Sequence, residues 1–216
     1  MPGLGSLGKL IPLLLQGSVL TIELTVLSVL IGTIIGIFVT LMRISHFKVL
    51  STIARGYTWI FRGTPLLLQL YIIYDGLPSI GLTLSGFTTA LIGLSINSGA
   101  YMAEIIRGGI LSVDKGQFEA AKALGFTYGT TMRKIILPQT IRVIIPSVGN
   151  ELIAMLKDTS LVAILTMYDL MRAASYQVSH TGDPWQPYLT AGVLYLIMTT
   201  VITALFSRLE KKLSVY

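Results

Sequence analysis

Apolar residues run in five long blocks, about 18–42, 53–74, 83–106, 141–167 and 188–206, separated by polar stretches that hold most of the charge. Each block is near the ~20 residues that carry an α-helix across ~30 Å of hydrocarbon. None alternates with the period of two that a barrel strand requires, and only helices or a closed barrel satisfy every backbone group in lipid. The pattern predicts an all-α, polytopic membrane protein in which residues 1–216 form one transmembrane domain with five transmembrane helices.

Charge refines this into a topology. Arg43, Lys48 and Arg55 lie between or near the facing ends of the first two blocks, Arg107, Lys115, Lys122, Arg133, Lys134 and Arg142 between the third and fourth, and Arg208, Lys211 and Lys212 after the last. The stretch DGLPSIGLTLSG (75–86) and the loop around SHTGDPWQP (179–187) have no Lys or Arg. By the positive-inside rule the basic segments are cytoplasmic, which places the N-terminus outside and the C-terminus inside. The formal net charge of +6 thus reports topology and not nucleic-acid binding.

Composition removes several chemistries. There is no cysteine, and His46 and His180 are far apart, so neither a disulfide nor a metal site is expected. GLGSLGKL (3–10) comes one residue short of the phosphate-binding pattern, because Leu10 stands where a magnesium-binding hydroxyl is required and no strand precedes it. A glycine-rich, loosely structured N-terminus accounts for it, and the segment reads as mature sequence without a cleavage site. The chain is expected to be no enzyme and to hold no cofactor.

Between the third and fourth blocks, VDKGQFEAAKALGFTYG carries helix punctuation of its own. Asp114 can cap the first turn with Gln117 three residues later, and Gly125 stands where a helix stops. Phe118, Ala121, Leu124 and Tyr128 fall at helical spacing on one stripe, which calls for a protein partner. From periodicity alone that partner is either the chain's own helix ends or a separate protein.

EAAKALG followed at nine residues by IILP (Glu119, Ala120, Ala121, Gly125, Ile135, Leu137, Pro138) resembles the coupling loop of ATP-binding cassette importer permeases. FRGTPLLLQL (61–70), AYMAEIIRGGI (100–110) and NELIAMLKDTSL (150–161) resemble segments of the polar amino acid uptake permeases of the histidine, glutamine and arginine type, so the likeness covers roughly residues 15–210. The resemblance implies a type I importer permease fold in a prokaryotic cell membrane. It implies a second permease subunit, identical or related, two ATPase subunits that hold ATP and magnesium, and an extracytoplasmic solute-binding protein. It also implies that a cytoplasmic loop, about 112–138, grips the ATPase through Glu119, Ala120, Ala121, Leu124, Gly125 and Phe126.

Charges inside spans cost ~2.5–3.5 kcal/mol each near a helix centre and so mark candidate function. Glu151 and Asp158 are seven residues apart and share a helix face, with Lys157 beside them either in the path or as a neutralising ion pair. The KDTS insertion, together with Pro138 and Pro146, marks the fourth span for interruption, which would free backbone amides and the hydroxyls of Thr159 and Ser160 next to Leu161. Asn97, Ser98 and Tyr101 would line the opposite wall or make interhelical hydrogen bonds, and Asp75 would meet an incoming cation or cap its own turn. A site with excess carboxylates favours arginine, lysine or histidine. Glu104 is expected to pair with Arg107, Glu23 to sit near the outer interface, and Gly32 with Gly36 to allow close helix approach, unless they are a chance pair. An ion-coupled secondary transporter is the alternative; a neighbouring reading frame for an ATPase would separate the two.

Overall fold

The computed structural model describes residues 4–213, with side chains from Leu10 onward. Its framework consists of α1 (Leu4–Arg43), α2 (Lys48–Gly63), α3 (Leu66–Tyr71) and α4 (Gly86–Ser112), then α5 (Lys115–Ala123), α6 (Tyr128–Thr131), α7 (Leu137–Asp158), α8 (Leu170–Thr181) and α9 (Trp185–Leu213). No strand occurs among the described residues. Helix α4 is the hub: it packs along most of α1 and also meets α2, α3 and α7.

The α1 and α4 backbones approach closely because glycine removes the side chains between them. A Cβ on Gly32 would lie 2.7 Å from Ser98 Cβ, and one on Gly36 would lie 2.7 Å from Met102 Cβ. The pair is therefore a packing face and not a chance occurrence. Thr40 Oγ1 donates to the Ala103 carbonyl at 2.9 Å, tying the same two helices near their ends. The core that results joins Leu24 and Val29 of α1, Leu70 of α3, Leu94 and Met102 of α4, and Met155 of α7.

Two helices, Leu10–Arg43 and Trp185–Leu213, are long and apolar enough to cross a membrane. The second is scarcely buried, with Leu189, Val193, Leu196 and Val201 all more than half exposed. Helix α4 is also long, at 27 residues, but carries Thr89, Ser95, Asn97 and Ser98 buried against its neighbours. Its polarity is turned inward, where Asn97 and Ser98 find hydrogen-bond partners.

Four sequence expectations need correction. The block at 53–74 is not one helix, because Pro65 ends α2 and α3 begins beyond it. The polar stretch after the fourth block contains α8, capped by the Asp169 carboxylate, which accepts from the Met171 and Arg172 amides. Leu170, Ala173 and Ala174 of α8 pack onto Leu10 and Leu14 of α1. Lastly, α1 starts well before residue 18 and is helical from Leu4, so the glycine-rich stretch is not loose from that point on, while Gly3 lies outside the described residues. The fourth block ends its α-helix at Asp158 and continues as a 3-10 segment, Thr159–Leu165. That segment keeps the chain hydrogen-bonded instead of freeing it, since the Thr159 amide donates to Met155 and Lys157 carbonyls.

A leucine at Gly36 must push α1 off α4, an overpacking cost of about 1–3 kcal/mol. Gly108, on α4, has nothing within 4 Å of a built Cβ. Gly36→Leu is expected to lower the thermal unfolding midpoint of the purified protein by several degrees, and Gly108→Leu to leave it within about a degree. Differential scanning fluorimetry of the two variants checks this.

Candidate functional site

The helix break at Thr64 and Pro65 organises the site. Proline has no N–H, so the Phe61 carbonyl four residues earlier loses its helical donor. The residue before proline is pushed out of the helical region, and Thr64 is extended at φ −118°, ψ 148°. Three side chains repair the gap. Thr64 Oγ1 donates to the Ile60 carbonyl at 2.8 Å. Gln69 Nε2 donates to the Phe61 carbonyl at 3.0 Å and to Thr64 Oγ1 at 2.9 Å. Asn97, reaching across from α4, donates to the same Phe61 carbonyl and to Gln69 Oε1, both at 3.1 Å.

Beside this break lies a cavity of about 410 Å³, within the size range of small-molecule sites. Thr64, Pro65, Leu66 and Leu67 form one wall; Asn97 and Tyr101 lie on α4; Glu151, Ala154, Asp158 and Leu161 form the other wall. Glu151 is 8% exposed and accepts from Ser98 Oγ at 3.0 Å. No Lys or Arg lies among the lining residues, and no ion pair engages Glu151 or Asp158 among the described residues. Arg62 is stacked over the ring of the lining Tyr101 at 5.3 Å.

Of the residues expected to bind substrate, Asn97, Tyr101, Glu151, Asp158 and Leu161 share this cavity. Ser98 is fully buried behind it and reaches it through Glu151. Asn97 makes the interhelical bonds and lines the cavity as well, so its two readings coincide. Thr159 is fully buried and its hydroxyl donates to the Leu156 carbonyl at 2.7 Å, so it offers nothing to a ligand. Lys157 is exposed, lies outside the lining and pairs with neither carboxylate. Ser160 is half-buried and also outside the lining. Asp75 is exposed in the π-helical turn Ile72–Gly76, likewise apart from it. The opened backbone stands at Thr64, opposite the KDTS segment where it was expected. Gln69 and Thr64 were missed, although threonine followed by proline inside an apolar run is a recognisable helix stop.

Below the cavity, Glu104 is gripped by three arginines. Arg43 of α1 approaches at 3.1 Å, Arg62 of α2 at 4.0 Å and Arg107 of α4 at 2.8 Å. The expected Arg107 partner is present, and the other two extend the pair into a knot joining three helices.

The EAAKALG segment is a helix with both caps in place. Asp114 accepts from the Gly116 amide, and Gly125 takes φ +79° while the Phe126 amide bonds the Ala121 carbonyl. The stripe divides: Ala121 is 1% exposed and Phe118 packs toward Ile110, Val113 and Ile136, whereas Leu124 is 74% exposed and Tyr128 64%. Glu119, Ala120 and Phe126 are exposed beside them. Nothing lies within 4 Å of a Cβ built on Gly125, so its left-handed backbone, not crowding, demands glycine.

If the amide network holds the break as a unit, Asn97→Leu and Gln69→Leu should each cost about 1–3 kcal/mol by leaving the Phe61 carbonyl short of donors. The double variant should cost clearly less than the sum. Unfolding midpoints of the three variants provide the test.

Comparison with known proteins places these features in a family. The profile of the family described as binding-protein-dependent transport system inner membrane component matches residues 28–215. The arginine transport system permease protein ArtQ of Bacillus subtilis (strain 168) is 42% identical over 204 residues, covering 94% of this chain and 93% of the relative. A putative glutamine transport system permease protein GlnP of Rickettsia bellii (strain RML369-C) is 40% identical, with 94% and 93% covered. A crystal structure of an amino acid ABC transporter with histidines superposes with a TM-score of 0.93 at 42% identity, covering 98% of this chain and 99% of that one. The MetNI methionine ABC transporter, at 21% identity and TM-score 0.81 over 95% and 98% of the two chains, shares the fold. The chain thus belongs to the inner membrane components of binding-protein-dependent transport systems, as a permease of the amino acid ABC importer type and a transport subunit, not an enzyme.

Proposed function

We propose that this permease carries cationic amino acids, with arginine, lysine and histidine as the candidates, through the cavity between the Thr64 break and α7. The observation that carries the reading is the pair of carboxylates, Glu151 and Asp158, on a cavity wall without a lining Lys or Arg. Unpaired carboxylates out of bulk water attract a cationic side chain and disfavour an anionic one. Leu66 and Leu67, at the start of α3 where helical amides lack intrahelical acceptors, supply the region for a substrate carboxylate. The name of the arginine relative agrees with this, and the glutamine relatives define the competitor.

In this reading two permease subunits, identical or related, each cross the membrane five times with the N-terminus outside and the C-terminus in the cytoplasm. A solute-binding protein delivers substrate from outside. Two ATPase subunits bind ATP with magnesium and grip the exposed side of α5, around Glu119, Ala120, Leu124 and Phe126, while Phe118 packs α5 onto its own chain. Closure of the ATPase pair then moves α5 and the helices joined to it. An ion-coupled carrier receives no support from the relatives.

Two measurements on the complex reconstituted in liposomes test this. Glu151→Gln is expected to reduce arginine uptake tenfold or more while affecting glutamine uptake much less, about 1.4 kcal/mol being a tenfold change. Better wild-type uptake of glutamate than of arginine would sink the cationic reading. Gly125→Arg, which strains the left-handed cap, is expected to abolish arginine-stimulated ATP hydrolysis; hydrolysis still stimulated as in wild type would remove α5 from the coupling role.

A further inference from the structure

A second cavity, about 560 Å³, adjoins the candidate site on the side of the basic segments and α5. The two follow one another along the same helices. On α2 the lining passes from Thr64 of the first to Gly63 of the second, and on α4 from Tyr101 to Glu104, three positions on. Their charges are opposite. The first has Glu151 and Asp158 with no lining Lys or Arg, whereas the second has Arg43, Arg55 and Arg62 against the single carboxylate of Glu104. Arg62 stands at the boundary: it lines the second cavity and stacks over the ring of Tyr101, which lines the first.

Glu104 does not need Arg62 for its own neutralisation. Arg107 holds that carboxylate by bonds of 2.8 and 3.0 Å and Arg43 approaches at 3.1 Å, while Arg62 stays at 4.0 Å with 42% of its side chain exposed. Arg55 lies seven residues before Arg62 on the same face of α2 and donates to Ser51 of its own helix; no ion pair engages it among the described residues. At 1.5 Å per residue Arg62 lies about 21 Å along α2 from Lys48. A surplus guanidinium so far into a span is costly in lipid, faces a water-filled or protein-lined space and is a functional candidate by default. We infer that Arg62 is a specificity-determining residue of transport, whose charge keeps cationic amino acids on the cytoplasmic side from occupying the carboxylate site. This rests on the proposal that the site carries cationic substrates inward. Substrate from outside meets the carboxylates without passing Arg62, whereas substrate returning from the cytoplasm meets the guanidinium groups first.

The test is uptake by the permease and its ATPase reconstituted in liposomes, with ATP in the lumen and the binding protein and labelled arginine outside. Unlabelled arginine or, in parallel, glutamine is added to the lumen in increasing amounts. Initial rates are normalised to those without luminal amino acid, so a general loss of activity cancels. Arg62→Gln is expected to be half-inhibited at a roughly tenfold lower luminal arginine concentration than wild type, the effect of one unit charge about 12 Å away at an effective dielectric of about 20. Arg62→Lys should keep the wild-type value, and luminal glutamine should inhibit wild type and Arg62→Gln alike. Arg55→Gln, outside the Glu104 knot and farther from the site, should shift in the same direction by about threefold, and it carries the test if Arg62→Gln fails to assemble. Luminal arginine acting on both glutamine variants as on wild type would overturn the inference. Arg62→Lys behaving as Arg62→Gln would overturn it too, because stacking and not charge would then decide. Weaker inhibition by arginine in Arg62→Gln would mean that the guanidinium groups hold the substrate's carboxylate, and an equal shift for luminal glutamine would mean a general opening of the site; either result refutes selection by charge. A wild type that takes up no arginine would overturn the cationic reading itself and this inference with it.

Discussion

A helix interrupted at membrane depth leaves backbone groups that hydrocarbon cannot satisfy, and the cavity in this chain is built around the way those groups are satisfied. Pro65 deprives the Phe61 carbonyl of its donor, and the amides of Gln69 and Asn97 replace it. Because Asn97 belongs to α4, the repair also fixes the broken helix against the hub of the bundle. Once Asn97 is committed there, the next residue, Ser98, points its hydroxyl to Glu151 of α7. One unsatisfied carbonyl therefore sets the mutual positions of α2, α3, α4 and α7, which are the elements that line the cavity.

The parts of this fold legible in the sequence are those governed by periodicity and local punctuation. Block lengths gave the helical membrane class, GTIIG marked the close face of α1, and Asp114 with Gly125 bounded α5. Glu151 and Asp158 were recognisable because ionised groups in apolar helices are costly and seven residues bring them to one face. What stayed hidden depends on which of two polar interruptions the fold opens. TPLLLQ is short and mostly apolar and KDTS is charged, so hydropathy pointed to the second. The rigid φ of Pro65 outweighs hydropathy, and a 3-10 segment let the charged stretch keep its hydrogen bonds. Helix α8 escaped for a related reason: its buried face, Leu170, Ala173 and Ala174, is small and sits in a polar stretch too short to register as a span.

Glu104 shows a different kind of concealment. Its pairing with Arg107 is local and follows from i, i+3 spacing, whereas Arg43 and Arg62 come from helices whose placement no local rule supplies. One carboxylate among three guanidinium groups is partly buried, and a pair of that kind stabilises only when its geometry is good and its hydrogen bonds are filled. Arg43 meets that condition by also donating to Thr58 at 3.0 Å, and Arg107 by a two-pronged contact at 3.0 and 2.8 Å. The knot ties the C-terminal turns of α1 and α2 to α4 near its own C-terminal third, so these three helices are held to one another.

That rigidity bears on how a force at α5 reaches the cavity. Phe118 seats α5 against Ile110 and Val113 at the end of α4 and against Ile136 just before α7, with Ala121 buried on the same helix. Asn97 and Tyr101 of α4 and Glu151, Ala154 and Asp158 of α7 lie at the cavity, so two of its walls belong to helices whose ends meet the α5 segment. The α4 wall is locked to α1 and α2 by glycine packing and by Glu104, whereas α7 meets α4 over a smaller face. A push on α5 therefore meets a stiff block on one side and a more weakly held helix on the other. In the proposed cycle the displacement would fall between α4 and α7, where the bond from Ser98 to Glu151 bridges them and a substrate cation would compete for the same carboxylate.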